Sequence, residues 1–356
     1  MLVMTRECRA TSVCQPRAAF PSAVGHIDPT FNPPLDVGFF HHMPTPDQHL
    51  AIARRNAKIL LDHGFTSAYS AGSLTPVPTE VRLREEIAAG TTSVRRVADI
   101  RYGEVLGYRP LELDLYLPVV PEAAGLLPVV VYVHGGGWQR GSRRDPPPLL
   151  EADFYDGIAA QGLAVAAIDY RLSGEARFPA PLEDVRTAVG WVRDHAAAYG
   201  LDPDRVFLWG DSAGGHLALL AALTGATVRA AVAWFPVTDL AGLPSDLADA
   251  GGVPDLGPDS REARLLGAPA SSVPDLARQA SPVRYASADA PPILLLHGMA
   301  DDLVPAAQSV RLAEALGQAG ASVELELVPG ATHFWKGASD VAAIIARSVE
   351  FLRAQA

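Results

Sequence analysis

Two rhythms of apolar and polar positions divide the chain. After Gly90 the two alternate with period two, at 93–102 and again at 111–117, which predicts two strands paired as an antiparallel hairpin at a sheet edge. From Pro128 onward, continuous apolar runs at 129–133, 163–169, 206–209, 228–234, 293–296 and 323–328 take turns with stretches of helical periodicity at 181–199, 212–223, 306–318 and 339–354. That succession predicts an α/β fold, a mostly parallel central sheet with an antiparallel N-terminal edge and helices on both faces. Residues 240–288 interrupt it with Gly, Pro and Asp and only short helical pieces, too many residues for a simple connection. An insertion there would lie above the carboxyl ends of the strands, where open α/β sheets bind ligands.

The first 43 residues carry no repeating apolar stripe and read as extended or partly ordered. Between Pro46 and Gly64, apolar residues at mixed three and four spacing predict one amphipathic helix, and 80–89 a second, shorter one. The expected division is an N-terminal extension over 1–90 and a main domain over 91–356, the latter carrying an insertion at about 241–288.

Composition narrows the field. With 356 residues, 49% hydrophobic and 19% charged, the chain can bury one large core and is not a disordered polymer. A net charge of -11 repels nucleic acid and anionic membrane surfaces, so neither is expected as a partner. Cys8 and Cys14, the only cysteines, make no disulfide framework and lack metal-site companions, so free thiols are expected. His41, His42 and His49 cluster early, but no carboxylate or cysteine completes a ligand set; they read as surface or packing histidines and no metal is expected. No uninterrupted apolar run near the start suggests a secretory signal and none elsewhere reaches the length of a membrane span, so a cytoplasmic protein is expected. The pattern sets no oligomeric state and leaves a homodimer open.

Chemistry concentrates at Gly210-Asp211-Ser212-Ala213-Gly214. A strand-like run precedes it and a helix-like run follows, and the glycines allow a turn sharp enough to push the Ser212 hydroxyl out of it. A serine hydroxyl is a poor nucleophile until a base takes its proton, and the base needs a third group to orient it. In a strand-turn-helix context these partners follow in the order acid, then histidine, each past a later strand. Asp301 follows the run 293–296, and His333 follows 323–328 as the only histidine after Asp301. Asp302 and Asp239 remain alternatives for the acid. His297 reads as a packing residue at its strand end, and His216, one helical turn beyond Ser212, would point down the helix. Upstream, the run 129–133 ends in His134-Gly135-Gly136-Gly137-Trp138, whose unobstructed backbone N–H groups could receive an oxyanion together with that of Ala213. A phosphate cradle is the other use of such glycines, but neither a Gly-Lys-Ser/Thr ending nor dinucleotide spacing is present. Asp211 is expected to shape the turn, and Glu183 and Asp184 to favour a helix N-terminus.

These motifs, with Tyr170-Arg171-Leu172, Phe178-Pro179-Ala180, Glu183-Asp184-Val185, His297-Gly298 before Asp301 and Gly330-Ala331-Thr332-His333, resemble those of the hormone-sensitive-lipase-like esterases, members of the α/β-hydrolase superfamily. The resemblance runs from about residue 111 to residue 352. It implies an α/β-hydrolase fold and a cofactor-free serine carboxylesterase acting on a small-molecule ester of a small or medium acyl group. It implies Ser212, Asp301 and His333 as triad, Gly136, Gly137 and Ala213 as oxyanion donors, and a cap formed by the N-terminal helices with the insertion. Trp138, beside the glycines, is a candidate wall of the acyl pocket or a structural tryptophan.

The same triad would equally serve an acyltransferase, an amidase or a lactone-processing enzyme of secondary metabolism. A ligand-binding hydrolase homologue without activity is a further alternative, against which the presence of His333 argues.

Overall fold

The computed structural model describes residues 94–119, 125–151 and 153–356, together with the backbone of 2–5 and 67–70. The chain forms two compact units, Met1–Thr92 and Ser93–Ala356. In the first, strands β1 (Leu2–Thr5) and β2 (Ser67–Ser70) make an antiparallel pair. The helices expected at 46–64 and 80–89, like Cys8, Cys14, His41, His42 and His49, lie outside the described residues.

The second unit is built on eight strands: β3 (Val94–Gly103), β4 (Leu111–Pro118), β5 (Leu127–Val133), β6 (Ala164–Ile168), β7 (Leu201–Asp211), β8 (Ala230–Trp234), β9 (Ile293–Gly298) and β10 (Val323–Val328). Their order across the sheet is β10-β9-β8-β7-β5-β6-β4-β3. β3 and β4 pair antiparallel, β4 runs antiparallel to β6, and the other pairings are parallel. The mostly parallel sheet and its antiparallel hairpin edge are as expected from the alternation, and the arrangement agrees with the fold that the resemblance implies.

Both faces of the sheet are covered, which is why the central runs are apolar without alternation. Val129, Val131 and Val133 of β5 face one core with α2 (Ala180–Tyr199), α3 (Ala213–Leu223) and α7 (Ala307–Ala319). Val130 and Tyr132 face the other with α1 (Phe154–Ala159) and α8 (Val341–Ala354). Six-residue α1 has too few turns to leave a periodic trace in the sequence, and the apolar pattern misses it. β7 begins earlier than its apolar run: Leu201 pairs with Leu127 and the register then shifts, so Asp202 and Asp204 hide the strand from a hydrophobic reading. Between β8 and β9 the insertion holds α4 (Leu243–Asp249), α5 (Arg261–Leu266), α6 (Pro274–Gln279) and two single 3₁₀ turns.

Register decides what meets at the carboxyl edge. Val133 lies opposite Gly210, Asp211 opposite Trp234, Trp234 opposite Leu296 and Gly298 opposite Val328. The segments leaving β5, β7, β9 and β10 therefore emerge side by side.

Candidate active site

Ser212 stands between β7 and α3 with φ 51° and ψ −117°, a conformation that L-residues seldom adopt. The backbone holds it there: the Ser212 N–H donates to the Trp234 carbonyl at 2.8 Å, and its own carbonyl accepts from His216 N–H at 2.9 Å. The turn closes only because Gly214 has no side chain, since a Cβ would overlap the carbonyl oxygens of Val133 and His134. Helix α3 starts at Ala213, so the Ala213 N–H is among the amides that the helix itself cannot satisfy.

The structure brings Ser212, Asp301 and His333 together. His333 Nε2 is 3.0 Å from Ser212 Oγ, and His333 Nδ1 is 2.6 Å from Asp301 Oδ2. All three side chains are buried. With Nδ1–H donating to the carboxylate, Nε2 is left to accept the hydroxyl proton. The imidazole is further held by Phe235, whose ring centroid lies 4.5 Å away.

Asp301 is gripped from two directions. Its Oδ1 accepts the N–H groups of Leu303 and Val304, each at 2.9 Å, while Oδ2 faces His333 and, at 3.4 Å, His297 Nε2. Burial alone would raise its pKa, but the hydrogen bonds and fields of His297 and His333 outweigh it and hold the carboxyl well below the usual range. The alternative acids are engaged elsewhere or outward. Asp302 is exposed, and Asp239 accepts from the backbone of Ala241 and Gly242 and lies 3.5 Å from Arg311.

The glycine run after β5 lies against this turn. Gly136 has φ 110° and Gly137 φ 61°; the former is a conformation essentially reserved for glycine. The Gly136 carbonyl is turned away, accepting from Gln139 and Arg140 N–H at 3.2 and 3.3 Å. His134 stacks on Tyr170 with ring centroids 4.4 Å apart, and the Tyr170 hydroxyl donates to the His134 carbonyl at 3.1 Å.

Two neighbours do more than the motifs alone disclosed. Asp211 Oδ1 accepts from the Tyr132 hydroxyl at 2.8 Å and from Gly135 N–H at 3.0 Å, so the residue before the serine ties the glycine run to the turn. Burial pushes its carboxyl up to about 6, those two hydrogen bonds opposing the rise, and its Oδ2 has no hydrogen-bond partner among the described residues. Asp184 is more than a helix-start carboxylate. Buried at 1% exposure, its two oxygens accept from the Arg171 guanidinium through both Nε and one Nη, and Oδ2 also from the Arg171 N–H, pinning the segment after β6 to α2. The co-occurrence of Arg171 and Asp184 in the sequence was the available signal for this pair.

Trp138 is turned into the core at 1% exposure, where its indole N–H donates to His216 Nδ1 at 3.1 Å. His216 Nε2 in turn reaches the Ala280 carbonyl at 2.6 Å, and burial lowers this imidazole to about 4, so it is neutral and fixed in one tautomer. This pair packs α3 against the insertion, which gives Trp138 a structural occupation. His297 is held by Ser309 Oγ and the Val304 carbonyl, both at 2.7 Å, at the end of β9 where the sequence places it.

No group of three or more His, Cys, Asp or Glu residues among the described residues is arranged to hold a metal ion. No helix among them is long and apolar enough to cross a membrane.

The chain matches the BD-FAE family model over residues 113–316, more than half its length and a span that includes Ser212 and Asp301. It is 32% identical to Esterase LipQ of Mycobacterium tuberculosis over 70% of this chain and 59% of that protein. It is 35% identical to the probable carboxylic ester hydrolase LipM of the same organism over 62% and 51% respectively. The chain thus spans about half to three-fifths the length of these curated relatives. Among solved structures, a truncated carbohydrate esterase from gut microbiota superposes with TM-score 0.64 at 27% identity, covering 75% of this chain and 98% of that one. Esterase 2 of Thermogutta terrifontis with bound propionate gives 0.57 at 25%, covering 73% and 92%. The chain belongs to the BD-FAE family and carries the α/β-hydrolase fold of the esterases it resembles.

Proposed function

We propose that the protein is a cofactor-free serine carboxylesterase. Ser212 Oγ attacks the ester carbonyl carbon as His333 Nε2 takes the hydroxyl proton, and the carbonyl becomes an oxyanion facing the N–H groups of Gly136, Gly137 and Ala213. His333 returns the proton to the leaving alcohol, which departs and leaves an acyl-Ser212. A water molecule then attacks the acyl carbon as His333 takes its proton, and the acid departs as His333 gives that proton back to Ser212 Oγ. Asp301 keeps Nδ1 protonated and stabilises the imidazolium formed in both halves of the reaction.

The observation that carries this reading is the bridging of one imidazole between a hydroxyl at 3.0 Å and a carboxylate at 2.6 Å, from segments 121 and 32 residues away in sequence. The relatives' names support ester hydrolysis, and neighbours with bound propionate and butyrate support a small or medium acyl group. The insertion at 241–288 is assigned as the cap over the site. The contribution expected of 1–90 falls outside the described residues.

The test is hydrolysis of p-nitrophenyl acetate and butyrate by the wild type and by Ser212→Ala, with a fluorophosphonate label mapped by mass spectrometry. Loss of turnover by at least about 10³-fold, and label on Ser212 alone, are expected. Turnover undiminished in the variant would overturn the assignment.

A further inference from the structure

One side chain of the insertion lies directly on the glycine run. A Cβ built on Gly137 would meet Arg261 Cδ at 2.7 Å and its Cγ and Nε at 3.4 Å, so the stem of Arg261 occupies the place a larger residue would need. The contact is fixed by the backbone that carries it. Helix α5 begins on Ser260, whose hydroxyl accepts from Ala263 N–H at 3.1 Å, and ends at Gly267 in the left-handed region. Between them Ala263, Leu265 and Leu266 are buried, and the Leu265 carbonyl accepts from Phe178 N–H at 2.8 Å. Arg261 is thus the exposed first residue of a helix tied down along its length.

Its guanidinium has no ion pair or hydrogen bond among the described residues. Exposed Arg264 of the same helix, by contrast, pairs with Asp259 at 3.2 Å. Glu262, the adjacent acid, makes no ion pair with it; burial raises the Glu262 carboxyl, and the field of Arg261 opposes that rise. A second exposed cation, Arg140, leaves the same loop, with its Cγ 3.2 Å from the Cβ position of Gly136. In a chain of net charge -11, the stem of one exposed arginine rests on the segment proposed to receive the oxyanion and a second exposed arginine follows in the same turn.

We propose that Arg261, assisted by Arg140, is a specificity-determining residue that favours esters carrying a carboxylate near the scissile bond. The planar fork of a guanidinium matches a carboxylate bidentately, and its weak hydration lowers the cost of leaving water for that contact. Since the Arg261 stem touches Gly137, a proposed oxyanion donor, the carboxylate it would hold is expected near the ester carbonyl, on the acyl or the alcohol side of the substrate. This rests on the serine esterase reading above and adds to it the chemical class of substrate.

Two matched pairs of probes separate the sides. 4-Acetoxybenzoate against 4-acetoxybenzamide carries the charge on the alcohol portion; methyl hydrogen glutarate against its terminal amide carries it on the acyl portion. The readout is the ratio of kcat/KM for anionic over neutral ester in the wild type, Arg261→Gln, Arg261→Lys and Arg140→Gln, each verified as folded by thermal melting. For at least one pair the ratio is expected to fall about ten- to a hundredfold in Arg261→Gln, the worth of a charge-assisted hydrogen bond, and to recover in part in Arg261→Lys. A smaller fall is expected in Arg140→Gln, and raising salt is expected to lower the wild-type ratio. Equal ratios in wild type and Arg261→Gln for both pairs would overturn the proposal even with neutral esters turned over well. If no ester of either kind is hydrolysed by the wild type, the esterase reading itself fails.

Discussion

The Asp211 carboxylate accepts the Gly135 N–H at 3.0 Å, so the side chain preceding Ser212, the proposed nucleophile, fixes the loop proposed to receive the oxyanion. The same oxygen takes the Tyr132 hydroxyl, and β5 and β7 are thereby joined just beyond the last rung of their ladder. This carboxyl is buried and titrates at about 6 in the folded chain against 3.8 when unperturbed. The folded state therefore binds the proton more tightly than the unfolded state does. Below about pH 4 both states are protonated and nothing is lost. As pH rises through 6 the folded chain bears the cost of a buried charge, about 3 kcal/mol by linkage. Asp211→Asn keeps an acceptor for both donors and never ionises. Its stability relative to wild type is expected to improve by about that amount between pH 4 and pH 7, measured by urea unfolding at each pH. A constant difference across the range would contradict the buried ionisation.

Asp301→Asn is expected to fold and to lose about 10³- to 10⁴-fold in kcat. The two backbone N–H groups at Oδ1 would select the amide oxygen there, turning the amide NH₂ toward His333 Nδ1. Nδ1 would then have to accept, Nε2 would carry the proton, and Ser212 would lose its base. Steady-state kinetics on p-nitrophenyl butyrate together with a thermal melt checks both halves; a kcat within tenfold of wild type would reject this orientation role.

Two helical glycines are expected to respond to alanine with opposite sign. At Gly190, in α2, nothing lies within 4 Å of the added Cβ, so Gly190→Ala stabilises by about 0.5–1 kcal/mol through helix propensity. At Gly214 the same propensity gain meets the backbone carbonyls of Val133 and His134, which cannot yield without opening the turn. Gly214→Ala is expected to cost about 2–4 kcal/mol and most of the activity. Denaturant titrations of the two variants decide it.

Trp138→Phe separates packing from substrate contact. The variant keeps the ring but strips His216 Nδ1 of its donor in a site without water access, which is expected to cost about 1–3 kcal/mol in stability. If Trp138 instead lined the acyl pocket, the main effect would be a change in KM across acetate, butyrate and octanoate esters at nearly constant melting temperature.

The order of strands and helices was legible because a sheet buried on both faces demands unbroken apolar runs, and amphipathic helices between them demand another period. The sequence by itself also pointed to Ser212 and His333, since strand ends set which residues can share an edge and the later histidine had no rival; the acid stayed open among Asp301, Asp302 and Asp239 until tertiary structure put Asp301 against His333 Nδ1. What lay beyond its reach were pairings across the sheet. Its place beside Ser212 marked Asp211 as a turn residue, but nothing local told that it clamps Gly135 in particular, and nothing in the run beginning at Arg261 tells that its stem rests on Gly137. Trp138 read as either a pocket wall or a packing residue until tertiary contacts supplied His216. Periodicity reports which face of an element is buried; only the register of neighbouring strands and the docking of the insertion decide which side chain stands opposite which, because those contacts join residues with no fixed spacing along the chain.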